Sequence, residues 1–390
     1  MLGVTTSPAA RIACALSTIL LAAPAVAQDR QDAVRDRDEP HEPGEQARAA
    51  AAGSEERERA GWAALPLASY SPETHLGLGA FGIYFFRLDD EPVTTRPSSV
   101  ALVGLYTTRH QAIVELIPEL YWDDERWHLW NKLDFRSFPD SFWGIGNETP
   151  SNAEERYGQI SYRGQSWLRF RLLEELYVGL RAQAQHLAVT EVRENGIFDT
   201  TSVPGERGGW SVGLGVTTGW DWRDNAVDTR EGGLYQATIM TFQPAWGSDY
   251  AFSRTSVDLR HFFHLGNTHT IGVQLYGEVN VGPVPFHQMA LLGGQDLMRG
   301  YFQGRYRDRG MLVAQAEYRF PIWWRIRGVA FAGAGDVANS LSDFADDGLK
   351  VAGGGGLRFS LNEQERLNLR VDVGAGIESW GAYLGIAEAF

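Results

Sequence analysis

The chain of 390 residues has one cysteine, Cys14, so it can build neither a disulfide framework nor a Cys-rich metal site. It has no apolar run of eighteen residues, and its mean hydropathy is -0.26. That excludes a bundle of membrane-spanning helices. It does not exclude a membrane β-barrel, whose lumen-facing residues dilute the hydropathy. Positive charge is also short: 35 Lys and Arg stand against 49 Asp and Glu, a formal net charge of -14. This argues against nucleic acid or an anionic membrane surface as a partner. No Gly-x-Ser-x-Gly elbow and no P-loop occurs. No catalytic residue, cofactor or metal is expected, and the chain reads as a non-enzyme, although spacing alone leaves open a Ser/Asp or His constellation in a lumen. Gly353 to Gly356 precedes strand-like residues rather than a helix, so it is no dinucleotide loop, and a bend in a strand is expected there. Asp258, His261 and His264 share one strand, but alternation sets His261 on the face opposite the other two, which disfavours a metal site.

What the chain does have is 44 Gly, 13 Trp, 14 Tyr and 19 Phe, distributed very unevenly. Residues 1–27 read as a cleaved signal peptide: Arg11, an apolar stretch from Ile12, then Ala25-Val26-Ala27 before Gln28. Cys14 follows Arg11 too closely to be a lipidation site, so the mature chain is expected to be free of cysteine. Residues 28–61 hold ten acids and six Arg and almost no aliphatic side chain larger than Ala. Such a segment cannot bury a core and is expected to be a disordered, charged periplasmic tail.

From Trp62 to Phe390 the pattern has period two. Ile271, Val273, Leu275, Val279 and Val281 fall on one face, against Thr270, Gln274, Glu278 and Asn280 on the other. Leu312, Ala314, Ala316, Tyr318 and Phe320 likewise oppose Gln315, Glu317 and Arg319. Strict alternation marks strands with one apolar and one polar face. A soluble sandwich alternates as well, but three features favour a barrel in a membrane. The strands are long. Trp residues gather at strand ends, at Trp122 and Trp127, Trp220 and Trp222, and Trp323 and Trp324, as in an interfacial girdle. A secretory signal precedes an amphipathic last strand that ends on an aromatic, Phe390, a C-terminal barrel signal; Glu388 interrupts its run of apolar residues.

The expected fold is all-β: a transmembrane antiparallel barrel of sixteen strands. They are placed at 65–70, 75–88, 98–108, 111–122, 126–137, 156–171, 174–188, 210–222, 233–244, 250–264, 268–282, 310–320, 326–337, 349–361, 366–376 and 380–390. Long connections follow strands five, seven, eleven and thirteen, and short ones such as 265–267 and 362–365 follow even strands. That parity matches long extracellular loops and short periplasmic turns. The connections 89–97 and 109–110 depart from it.

At Gly293 the chain reads Gly-Gly-Gln-Asp-Leu-Met-Arg-Gly-Tyr, and from Gln315 it reads Gln-Ala-Glu-Tyr-Arg-Phe-Pro. With Pro66 to Thr74, Phe142 to Asn147 and Asp221-Trp-Arg-Asp224, this resembles the bacterial surface-antigen barrels of the BamA/TamA-like outer-membrane assembly superfamily. The resemblance implies that loop 283–309 folds into the lumen, with Arg299, Gly300 and Tyr301 as its tip and Glu317 as an acid on the inner wall. A guanidinium in a confined lumen needs an acceptor, which a carboxylate supplies, and Gly300 permits a φ that other residues resist. The family carries Phe-x-Asp-x-Gly on a later strand; here that stretch is Phe331-Ala-Gly333-Ala-Gly335, with Gly where the second acid would stand. Members that assemble other barrels carry POTRA modules before the barrel, and the 34 residues of 28–61 are too few for one.

The resemblance further implies a seam between the first and last strands that opens toward the bilayer. Pro66 removes a ladder donor, and Gly381 and Gly385 weaken the last strand. Integral residence in the bacterial outer membrane follows, with outer-membrane lipids and lipopolysaccharide, unfolded outer-membrane proteins and the barrel assembly machinery as partners. The implied function is insertion or translocation of proteins or lipids. A passive channel or porin and a structural surface antigen are the alternatives.

Overall fold

The computed structural model describes residues 60–88, 91, 95–266, 268–344, 348–363 and 366–390. The expected signal peptide and nearly all of the charged tail lie outside the described residues. Sixteen strands among the described residues form one closed antiparallel wall. They are β1 (Ala60–Ser71), β2 (His75–Phe86), β3 (Ser98–Thr107), β4 (Ala112–Trp122), β5 (Trp127–Ser137), β7 (Glu155–Arg171), β8 (Leu176–Glu191) and β9 (Gly208–Asp221). The wall continues with β10 (Gly232–Phe242), β11 (Phe252–Leu265), β12 (His269–Val281), β15 (Gly310–Trp323), β16 (Ile326–Ala338), β17 (Lys350–Asn362), β18 (Leu367–Gly376) and β19 (Ser379–Ile386). Three short strands stand apart: β6 (Asp140–Phe142) beside β7, and β13 (Ala290–Leu292) with β14 (Tyr306–Asp308), a hairpin inside the loop between β12 and β15.

The polarity of this wall is inverted relative to a soluble sandwich. On β12 the polar residues Thr270, Gln274, Glu278 and Asn280 are buried, while Leu275 is 43% and Val281 67% exposed. The same inversion holds on β15, where Gln315, Glu317 and Arg319 face inward and Leu312 faces outward. An apolar outside and a packed polar inside suit hydrocarbon around the wall. The paired Trp residues named above fall at the rim that carries the short turns, and Trp323 and Trp324 are 72% and 71% exposed there. Indoles at this height match a membrane–water interface.

Two boundaries differ from the sequence reading by more than three residues. β1 starts at Ala60, five residues before the expected start and inside the stretch assigned to the charged tail, because β2 offers a full partner from Ala60–Phe86 to Ser71–His75. The last strand ends at Ile386, not at Phe390. Along β19 the odd residues Gly381, Tyr383 and Gly385 face the lumen and the even ones face outward. Continued straight, the strand would aim Glu388 at lipid, which costs energy for any charged side chain. Instead Ala387 takes a positive φ of 68°, and residues 387–390 turn into the lumen. Phe390 packs near Phe262, 6.2 Å between ring centroids, rather than completing a strand.

The glycine run also differs from expectation. β17 stays in register with both neighbours through Gly353–Gly356, so the strand is not broken there. The run makes room: a Cβ on Gly354 would stand 2.7 Å from the Phe331 ring, and one on Gly356 1.9 Å from a carboxylate oxygen of Asp372.

Candidate functional site: the lumen latch and the seam

Loop 282–309 enters the lumen and leaves it as the β13–β14 hairpin, so its tip hangs beside the inner faces of β15 to β19. Gly300 holds φ at 119°, with the backbone of Ala375 on β18 2.7 Å from where a Cβ would be. Only glycine combines that φ with so close an approach. The turn aims Arg299 inward. Its Nη2 donates to Glu317 and its Nη1 to Asp372 at 2.6 Å, while the guanidinium lies 3.6 Å from the centre of the Phe331 ring. All three charged groups are buried, so the carboxylates and the ring face together replace lost water.

Asp372 is the acid that takes the place vacated at Gly333. It stands on β18 rather than β16, one side of Arg299 away from Glu317. Gly333 instead leaves space for Met298, whose sulfur is 3.1 Å from where a Cβ would sit. Sequence spacing could not assign Asp372 to this role, because it depends on registers across β15 to β18.

The cluster extends beyond this triad. Arg358 on β17 donates to Asp372 at 2.5 Å and to Glu388 of the inturned tail at 2.6 Å. Arg319 on β15 donates to Glu317 at 2.8 Å, to Asp228 at 3.3 Å and to the Phe390 carbonyl at 3.0 Å. Asp228 belongs to the periplasmic connection 222–231, which folds up into the lumen mouth. Burial alone would raise its pKa, but Arg327, Arg319 and Arg230 outweigh burial and hold it below the ordinary 3.8. At the end of β9 Asp221 pairs with Arg223 of this connection at 2.8 Å, and Asp224 accepts the backbone N–H groups of Arg230 and Glu231. These three residues order the turn.

The loop tip also touches both sides of the seam. The Tyr383 hydroxyl on β19 accepts the Gly300 N–H at 2.9 Å, and Ser379 donates to the Gly300 carbonyl at 2.6 Å. Tyr301 donates to the Val351 carbonyl at 2.9 Å and accepts the Ile377 N–H at 2.8 Å. From the other side, Glu73 in the β1–β2 turn accepts the Gln303 N–H at 2.7 Å.

The seam itself is thin. Among the described residues β1 and β19 share one registered pair, Tyr70 opposite Leu384, whereas β18 and β19 run in register from Leu369–Ile386 to Gly376–Ser379. Pro66 lies in the part of β1 with no registered partner on β19. At Gly381 a Cβ would meet the Tyr383 hydroxyl at 2.6 Å and Pro72 at 2.8 Å, so this glycine serves close packing at the seam. Gly385 stands opposite Arg370 of β18.

On the far side of the loop a cavity of about 230 Å³ separates it from β5, β7, β8, β11 and β12. Its lining mixes Arg136, Arg163 and Arg254 with Gln159, Gln183 and Gln185. Asp258 pairs with Arg260 inside the wall, while His261 bonds Tyr235 outside it at 3.1 Å. No group of metal-ligating side chains gathers among the described residues.

A sixteen-stranded wall with apolar outside, ionic lumen and an inserted Arg-Gly-Tyr loop defines an integral outer-membrane β-barrel. A profile of the Omp85 superfamily domain matches residues 101–383, and the chain belongs to that superfamily. The fold is similar to that of BamA from Haemophilus ducreyi (TM-score 0.59, 15% identity, covering 84% of this chain and 70% of that one). It is similar also to CdiB from Acinetobacter baumannii (0.52, 11%, 84% and 60%) and CdiB from Escherichia coli (0.53, 11%, 84% and 62%). No curated protein matches the chain.

Proposed function

We propose that the barrel assists insertion or translocation of proteins or lipids at the outer membrane by parting at the β1–β19 seam. The observation that carries this reading is the seam's single registered pair, Tyr70–Leu384, in a wall whose other joints each carry eight or more registered pairs. Backbone groups left unpaired in hydrocarbon are costly, and an open edge is a template for another strand. Parting this joint therefore loses little ladder and disturbs the adjacent bilayer. The work is physical: it needs no covalent step, cofactor or metal. Unfolded outer-membrane proteins are the clients that such an edge fits. Outer-membrane lipids and lipopolysaccharide form the surroundings on which it acts, the barrel assembly machinery inserts this barrel itself, and residues 1–27 are removed on export. Membership of the Omp85 superfamily supports the reading.

The test places the purified barrel in liposomes and follows folding of a second, unfolded barrel protein against an inert barrel at equal density. Faster folding, abolished by a disulfide between Tyr70→Cys and Leu384→Cys, is the expected result; facing residues of an antiparallel pair lie within disulfide range. Folding at the control rate overturns the insertase reading. If conductance then rises on deletion of 283–309, the lumen is a plugged channel.

A further inference from the structure

We infer that the extracellular loop tip and the inturned C-terminal segment 387–390 are two latches on one buried ion cluster, coupled so that releasing either loosens the other. The inference concerns motion across the lumen and does not depend on what the barrel inserts.

Both latches anchor β19 from inside, one at each end, and the extracellular one also bridges the seam. At the extracellular end, Gly300 and Gln303 bond Tyr383 and Glu73, on opposite sides of the joint. At the periplasmic end, residues 387–390 tie β19 to the inner wall: the Ala387 N–H donates to the Asn368 carbonyl at 2.9 Å, and Asn368 Nδ2 to Glu388 at 3.0 Å.

The two ends share their counterions. Arg299, the anchor of the loop, uses Glu317 and Asp372. Arg358 uses Asp372 and Glu388, and Arg319 uses Glu317, Glu388 and Asp228. When the tail withdraws Glu388, Arg358 and Arg319 stay buried and turn more fully to Asp372 and Glu317, the acids that hold Arg299. Water is too scarce around these buried groups to replace the missing carboxylate. The loop anchor therefore weakens when the tail leaves. By reciprocity, loss of Arg299 frees its two acids for Arg358 and Arg319, which lessens their hold on Glu388. A periplasmic partner that draws out the tail would thereby loosen the extracellular loop, with no contact to it.

The test is amide hydrogen exchange of the full chain reconstituted in nanodiscs. In Glu388→Gln, exchange at the Gly300 and Gln303 amides should rise at least tenfold. In Arg299→Lys, which keeps the charge and loses the forked geometry, exchange at the Ala387 amide should rise by a similar factor. Arg126→Gln, which removes an exposed pair with Asp123 on the same rim, should leave both regions at wild-type rates. Should Glu388→Gln fail to fold, Asn368→Ala loosens the same carboxylate more gently and carries the same expectation. The coupling is overturned if tail exchange rises while Gly300 and Gln303 keep wild-type rates. It is equally overturned if rates climb together in β8 and β9, since that marks general loosening.

Discussion

The wall opposite the seam and the seam itself close by different means. Across from the seam, β7 and β8 span 17 and 16 residues and stay in register from Ile160–Ala188 to Arg171–Tyr177. Backbone hydrogen bonds do the closing, and the lumen in front of them has space for a cavity. At the seam, β19 has 8 residues and meets β1 at one registered pair. There the loop tip, residues 387–390 and the 222–231 connection crowd against β15 to β19. Ion pairs and a few side-chain hydrogen bonds supply what the ladder lacks. The lesson is that a barrel can weaken a joint in its wall and still stay shut, provided its interior is built as a clasp.

Removing a charge on each side is the strongest way to break this comparison. Glu317→Ala leaves Arg299 and Arg319 short of a buried counterion, and removing one partner of a buried pair costs about 3–5 kcal/mol. Asp134→Ala strips Arg163 on the far wall, whose contact is 2.8 Å, and should cost a similar amount. Urea midpoints of heat-modifiable folded protein would measure both. The distinguishing readout is trypsin cleavage within 299–309. It should appear in Glu317→Ala and be absent in Asp134→Ala. Equal protection in both variants would mean that the clasp is not ionic.

A second pair of changes probes space rather than charge. A Cβ on Gly376, next to the seam, would lie 2.3 Å from the Tyr301 ring, which is itself packed against Tyr306. Gly376→Ala should therefore cost about 1–3 kcal/mol through overpacking. On the far wall, Gly164→Ala meets one flexible methyl of Leu133 at 3.2 Å and should stay within about 0.5 kcal/mol. Similar losses in the two variants would show that the loop tip is not tightly seated.

How far the sequence led follows the same division. The wall was legible, because alternation with period two over eleven or more residues has few readings, and the ends of most strands fell within two residues. Arg299, Gly300, Tyr301 and Glu317 were placed by resemblance, and the geometry brings them together. What escaped were features that exist only once registers are set. Asp372 acts through its height on β18. Glu388, read as an interruption in an outward-facing run, turns the chain inward because its parity would have exposed it to lipid. Gly354 and Gly356, read as a bend, are empty volume for groups on neighbouring strands. A local pattern records which face a residue takes; partners inside a lumen come from strands far apart in sequence.

The smallest effect sharpens the comparison at the extracellular end. Glu73 joins the β1–β2 turn to the loop, and burial raises its pKa above 4.5 in spite of hydrogen bonds from Ser71 and Gln303. Ionisation is thus disfavoured in the folded barrel relative to the unfolded chain. The resulting destabilisation is present above the folded pKa and vanishes as the pH falls below 4.5, where both states are protonated. Glu73→Gln keeps an acceptor for the Gln303 N–H without the charge. It should raise the unfolding midpoint at pH 7 and lose that advantage when the pH reaches 4. A lower midpoint at pH 7 would instead mean that the carboxylate's charge strengthens the bond to the loop by more than its burial costs, and that this end of the clasp is ionic like the other.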